Sequence, residues 1–355
     1  MDFSFIRNQR LNSQQLTATK FYSPESLVGH FGAMQAQDYA MAKWAIGIRT
    51  GKTENAIENS INEGKIIRTH ILRPTWHFVA AEDIHWMLEL TAPSLKRVIK
   101  SAAVKMGLED SLNAYTKKLQ KLLSGNTHLT REEIMLELEV KTGQANSISP
   151  VIIMMNAELE GIVCNGIMRG KKFTYALLEE RVPSKNSKIS KDEALAKLAG
   201  KYFNSHGPAT IHDFSWWSGL SLTNSRLALE LIKSELDSVE IENSTYWFYN
   251  VSISNKKHTN VHLLPAFDEF LISYKDRTAS IALKHQPLAF TKNGIFNPVL
   301  VVNGKVEGTW KRSIKKETVK IEINPINSFE KNTSELIINE AKMFGDFLGL
   351  KVEIS

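Results

Sequence analysis

Residues 35–37 read Gln-Ala-Gln, two carboxamides on either side of one small apolar residue. A carboxamide offers an acceptor and two donor protons and does not titrate near neutral pH. Buried without partners it costs free energy, so the pair is either satisfied inside the fold or faces a cleft that takes a ligand. The residues before it, through Leu27, Phe31 and Met34, read as an apolar helical run, which places the pair at a helix end. A second segment, Leu72-Arg73-Pro74-Thr75-Trp76-His77-Phe78, alternates polar and apolar residues. Arg73, Thr75 and His77 are therefore expected on one strand face. Such a face suits a phosphate or a base edge, and equally plain solvent. In Leu263–Phe270 two acids, Asp268 and Glu269, lie in an apolar setting and are followed by Tyr274, Asp276 and Arg277. They are compatible with a catalytic acid pair or with an Asp–Arg pair holding a turn. Trp216 and Trp217 are adjacent on a helix and point in different directions, so at least one belongs to the core.

The surrounding composition narrows the chemistry. The chain has 355 residues, 43% hydrophobic and 23% charged, which is ordinary globular composition. No apolar run reaches the roughly 20 residues of a membrane span. Met1–Phe5 lacks the basic and apolar stretches of a secretory signal, so a cytoplasmic protein is expected. One cysteine, Cys164 among Ile162 and Val163, excludes an internal disulfide framework and reads as a buried, inert thiol. The sequence has no zinc-ligand spacing, no Walker loop, no glycine-rich dinucleotide fingerprint and no Gly-x-Ser-x-Gly elbow. No metal or nucleotide cofactor is therefore expected. The formal net charge of +6 is compatible with a polyanionic partner.

The elements that must position these residues follow one pattern, helix–helix–helix–hairpin, three times over. In the middle round a helix covers about 112–123. A second starts at Thr130 with Glu133 completing a capping box and ends near Thr142-Gly143. A third runs about 149–160, and strands over 162–168 and 172–178 flank Arg169-Gly170-Lys171. In the last round Ser190 and Glu193 cap a helix to about Asn204. Helices over 211–217 and 222–235 follow, then strands over 238–241 and 246–249. In the first round Asn12-Ser13 caps a short helix and Ser23-Pro24 starts the second. The third covers 54–62, and strands over 66–70 and 75–79 flank the Leu72-Arg73-Pro74 wing. Beyond residue 255 strands dominate, with a final helix near 334–347. The expected fold is α+β, three tandem winged helices and a C-terminal mixed α/β region. Its divisions are 1–95, 96–185, 186–254 and 255–355. Arg73, Arg169, Lys171 and Lys172 sit at or beside hairpin tips, where basic side chains suit phosphate contact.

Together these segments resemble the winged-helix DNA glycosylase family typified by AlkZ and YcaQ. The resemblance rests on Met34-Gln35-Ala36-Gln37-Asp38, Leu72–Phe78 with Ala81-Glu82-Asp83, Gly207-Pro208-Ala209 with Asp213-Phe214 and Trp217-Ser218-Gly219-Leu220, Leu264–Glu269, and Gly304–Trp310, in that order. One departure is Pro74-Thr75-Trp76, where Gly-Thr-Leu is the expected pattern. The resemblance implies tandem winged helices around duplex DNA and removal of alkylated purines, in some members from interstrand crosslinks. The motif is Gln-x-Gln in one branch and Gln-x-Asp in the other, and Gln35-Ala36-Gln37 matches the first. It implies Gln35 and Gln37 as catalytic residues.

Alkylation at N7 or N3 makes a purine cationic and a good leaving group, so the remaining task is to hold a water and stabilise an oxocarbenium-like sugar. Carboxamide dipoles suit that task without a titrating base. Arg73, Thr75, His77, Arg169, Lys171 and Lys172 are expected to contact DNA, and Asp38, Trp216, Asp268 and Arg277 to support the cleft. The expected partner is double-stranded DNA with alkylated bases, bound by a monomer without a membrane or cofactor. The alternatives are a non-catalytic winged-helix transcription regulator and an interaction scaffold. The first predicts operator binding without abasic product, the second no salt-dependent DNA binding.

Overall fold

The computed structural model describes residues 2–140, 149–184, 189–249 and 259–355. The chain opens with α1 (Phe3–Ser13), whose N-cap is Asp2. Asn12 and Ser13 therefore end a helix rather than start one. Ser23 caps α2 (Pro24–Phe31) with proline in its first turn, as expected. The helix does not run on to the glutamines. Gly32 adopts φ +77° and turns the chain out of α2, and Ala33–Gln35 form a strand, β1, on the edge of the hairpin. Asp38 then caps α3 (Tyr39–Thr50), which sequence reading missed. Nearly every residue from Met41 to Thr50 is buried, so the helix lacks the amphipathic stripe that would announce it. Next come α4 (Glu54–Asn62), β2 (Ile66–His70) and β3 (Trp76–Ala80). A 22-residue helix, α5 (Ile84–Lys105), with Pro93 inside it, was also missed. Residue 95 lies within it.

The second round comprises α6 (Glu109–Leu122), β4 (Leu129–Thr130), α7 (Arg131–Glu137), α8 (Ser149–Leu159), β5 (Val163–Asn165) and β6 (Thr174–Leu177). The expected capping box of Thr130 and Glu133 is present. The expected end at Thr142-Gly143 lies outside the described residues, and α7 ends at Glu137. At the hairpin tip Arg169 and Lys172 exchange backbone hydrogen bonds around Gly170 and Lys171. A short helix, α9 (Leu178–Arg181), leads out. The third round has α10 (Lys191–His206) with the Ser190–Glu193 capping box, α11 (Ile211–Ser218) and α12 (Leu222–Ile232). It closes with β7 (Asp237–Ile241) and β8 (Ser244–Phe248). Glu242 and Asn243 between those strands both take positive φ, which a tight two-residue turn requires.

The C-terminal region contains β9 (Val261–Leu264), α13 (Glu269–Ile272), α14 (Gln286–Ala289), β10 (Val299–Val302), β11 (Lys305–Lys315), β12 (Thr318–Pro325), α15 (Lys331–Leu348) and β13 (Lys351–Ile354). Its sheet runs β13-β12-β11-β10-β9, with only the β12–β13 pair parallel. The three-stranded sheet β1-β3-β2 is the hub of the molecule. Met34, Phe78 and Ile66 on one face join Trp44, Trp310 and Phe344. Ala33, Val79 and Ile67 on the other join Leu195, Tyr202 and Trp217. Each fully buried large apolar side chain contributes about 1.5–3 kcal/mol, so both neighbours stabilise the sheet that carries Gln35. Among the described residues no helix is long and apolar enough to cross a membrane.

Candidate active site

Gln35 ends β1 opposite His77, and the ladder continues one residue further, with Ala36 N–H donating to Trp76 O. Gln35 is 5% exposed, whereas Gln37, two residues on, is open to solvent. Arg73 Nη2 donates to Gln35 Oε1 at 3.1 Å and Thr75 Oγ1 donates to it at 3.3 Å. A guanidinium has only donors, so the atom it meets must be the amide oxygen. Both lone pairs of that oxygen are filled. The NH2 end of Gln35 is the part free of protein partners among the described residues. Arg73 and Thr75 converge through the turn before β3 rather than along a strand. Arg73 N–H donates to Ile71 O at 2.6 Å and Thr75 N–H to Arg73 O at 2.7 Å.

The main chain of the motif is held by buried charges. Glu269, the first residue of α13, accepts the Gln35 N–H on Oε1 at 2.6 Å. Its Oε2 lies 3.4 Å from His206 Nε2 and accepts the Ser273 hydroxyl. Burial alone would raise the Glu269 carboxyl. The hydrogen bonds and charge of His206, with Ser273 and the Gln35 N–H, outweigh burial and hold it down at about 2. His206 is fully buried, which lowers its own basicity. Its Nε2 faces Glu269, and its Nδ1 lies 2.7 Å from Ser205 Oγ, whose hydroxyl donates to Lys201 O. On the other side, Arg68 Nε donates to Ala36 O at 3.1 Å and Nη1 to Asn165 Oδ1 of β5 at 3.0 Å. Arg68 also lies over the rings of Trp76 and Phe173. Sequence reading named Glu269 only as half of a candidate catalytic acid pair with Asp268, and gave no role to Arg68 or His206.

The other expected residues are distributed unevenly. His77 is fully buried and has no surface for DNA to reach; burial, then the nearby Arg73 charge, pushes it down to about 3. Its Nδ1 meets Thr75 O at 2.9 Å. Asp38 is the cap of α3. Asp268 gives both oxygens to Arg49, each at 2.8 Å, so its structural partner is Arg49 and not Arg277. Arg277 donates from Nε to Leu271 O and lies over the Phe290 and Phe296 rings. Trp217 is core, as expected of one of the pair, and Trp216 is 44% exposed, with its N–H on Ile272 O. At the second hairpin, Arg169 is held by Glu133 and His128 O, while Lys171 and Lys172 are exposed. Phe173, next to Lys172, packs edge-on against Tyr39, two residues from Gln37. The basic tip of the second round thus flanks the glutamine segment of the first. Cys164 is fully buried, and burial pushes its thiol up to about 12.

The paired-amide segment is thus buttressed from three parts of the fold and flanked by a basic hairpin tip. The chain belongs to the family described as DNA glycosylase AlkZ-like, whose family model matches residues 28–347. It is therefore a DNA glycosylase, an enzyme acting on N-glycosyl bonds, and the regulator and scaffold alternatives give way. The chain is 23% identical over 324 residues, 85% of each chain, to the interstrand DNA cross-link repair glycosylase of Streptomyces sahachiroi. It is also similar to the solved structure of Streptomyces sahachiroi DNA glycosylase AlkZ, which shares its fold with a TM-score of 0.79 at 21% identity over 100% of both chains.

Proposed function

We propose that this protein is a monofunctional glycosylase that removes cationic N7- or N3-alkylated purines from double-stranded DNA, with Gln35 and Gln37 placing the attacking water. The C1′–N9 bond breaks and its electron pair neutralises the base. The water oxygen bonds to C1′ and its proton leaves to solvent, giving free base and an abasic site. The observation that carries the reading is the locked Gln35 amide, its oxygen fixed by Arg73 and Thr75, beside an open Gln37. Gln35 NH2 donates to the water and the Gln37 carbonyl accepts one of its protons, which leaves a lone pair for the sugar. Pre-set dipoles of this kind cost no reorganisation as charge develops. Uncharged bases leave poorly, so unmodified DNA is spared. The name of the Streptomyces relative extends the proposal to unhooking of interstrand cross-links.

The three helix–helix–helix–hairpin rounds act on this reading as winged helices, divided near 95, 185 and 254, and grip the duplex with the exposed Lys171 and Lys172, while Arg73 and Thr75 hold Gln35. The protein works in the cytoplasm as a monomer. The test is release of 7-methylguanine from methylated duplex, followed by alkaline cleavage of abasic sites. Wild type should release it, and Gln35→Ala and Gln37→Ala should each lose about tenfold or more, roughly 1.4 kcal/mol of barrier. Equal rates in all three would remove the mechanism.

A further inference from the structure

The Glu269 carboxylate is 1% exposed, and one of its oxygens is committed to a peptide N–H of the motif itself, that of Gln35. β1 lies at the edge of its sheet, so the N–H groups that point away from β3 need partners from elsewhere in the fold. A neutral amide would satisfy one donor at lower desolvation cost, yet a charged group stands there, supported by His206 and Ser273. The charge has a counterpart. Arg73 is bound to the Gln35 side chain, and it is a desolvated guanidinium that feels Glu269 as its leading charge partner. A lone guanidinium next to a sugar becoming an oxocarbenium ion opposes the reaction, most strongly where water is excluded. Arg73 and Glu269 thus bracket Gln35, one on its side chain and one on its main chain.

Resting on the glycosylase reading above, we propose that Glu269 is a positioning residue of the centre. It fixes the Gln35–Gln37 segment through the Gln35 N–H and cancels the Arg73 charge where the sugar cation forms. His206 and Ser273 orient its second oxygen.

The experiment uses the full chain on duplex DNA carrying 7-methylguanine. Glu269→Gln, with melting checked, is expected to lower the single-turnover rate by about tenfold or more with KM and DNA affinity essentially unchanged. Arg73→Gln keeps a donor for the Gln35 oxygen and removes the charge. Added to Glu269→Gln, it should restore part of the lost rate, a rescue that a merely structural role would not give. A folded Glu269→Gln protein with the wild-type rate, or with a change in KM alone, overturns the proposal, as does a double variant slower than Glu269→Gln alone. Should Glu269→Gln not fold, Ser273→Ala loosens the same carboxylate without removing it. A slower rate at unchanged KM there supports the proposal and an unchanged rate overturns it. Absence of base release by wild type overturns the glycosylase reading and this proposal together, and so is told apart from failure of the proposal alone.

Discussion

Asp268 and Arg49 face each other inside the protein, and the same guanidinium also donates to Gln14 O and Ala45 O. Asp268 in addition caps α13 through the Phe270 N–H, so it sets where Glu269 begins its helix. Removing one partner of such a pair strands a desolvated charge, at a cost of about 3–5 kcal/mol. Asp268→Ala is expected to lower stability by that amount in urea unfolding, and a change below about 1 kcal/mol would refute the account of the pair. At this scale the sequence is half legible. The spacing of Gln35 and Gln37, on which the proposed chemistry rests, is visible because it is local. The role of Glu269 is not announced, because its partners Gln35 and His206 stand 234 and 63 positions away. His77 misled for a related reason: an alternating pattern shows that residues share a face, but not that another module covers it.

Elements show where that covering comes from. Gly219, the residue after α11, has φ +68° and packs on the turn that presents Arg73. A Cβ built on it would lie 2.1 Å from Leu72 O. The left-handed backbone alone costs a side chain about 1–2 kcal/mol, and the clash with a carbonyl adds to it. Gly219→Ala is expected to lower both the melting temperature and the rate of base release, since the turn that moves holds the Gln35 amide. A variant with wild-type melting and rate would show that α11 does not brace the turn. The elements that sequence reading placed well are those with local signals: Ser23-Pro24, Thr130 with Glu133, and Ser190 with Glu193. Those it missed carry their information in tertiary contacts. α3 is buried on nearly every side, and α5 runs through a proline that reads locally as a break.

Across the whole molecule, buried neutral histidines tie stability to pH. Burial pushes His30 down to about 4 and His77 to about 3, and lowers His206. In the unfolded chain each binds a proton near pH 6.5. Between about pH 6.5 and 4 the unfolded state therefore holds protons that the folded state refuses, and stability falls as pH falls, by up to about 1.4 kcal/mol per pH unit for each histidine. Glu269 acts lower: its folded value is depressed, so its contribution is complete above its ordinary 4.5 and disappears only toward about 2. Urea midpoints should drop steadily from pH 7 to 5, and His77→Gln should flatten that slope. A midpoint independent of pH over this range would contradict the neutral, buried state of these rings.

Cys164 carries a different consequence. On the proposed function the protein works among electrophilic reagents that attack purine nitrogens, and thiolate sulfur is a softer and faster target for them than any base. The chain has one such sulfur, sealed from solvent and kept in its protonated form. It can therefore remain intact through an exposure that damages its own substrate.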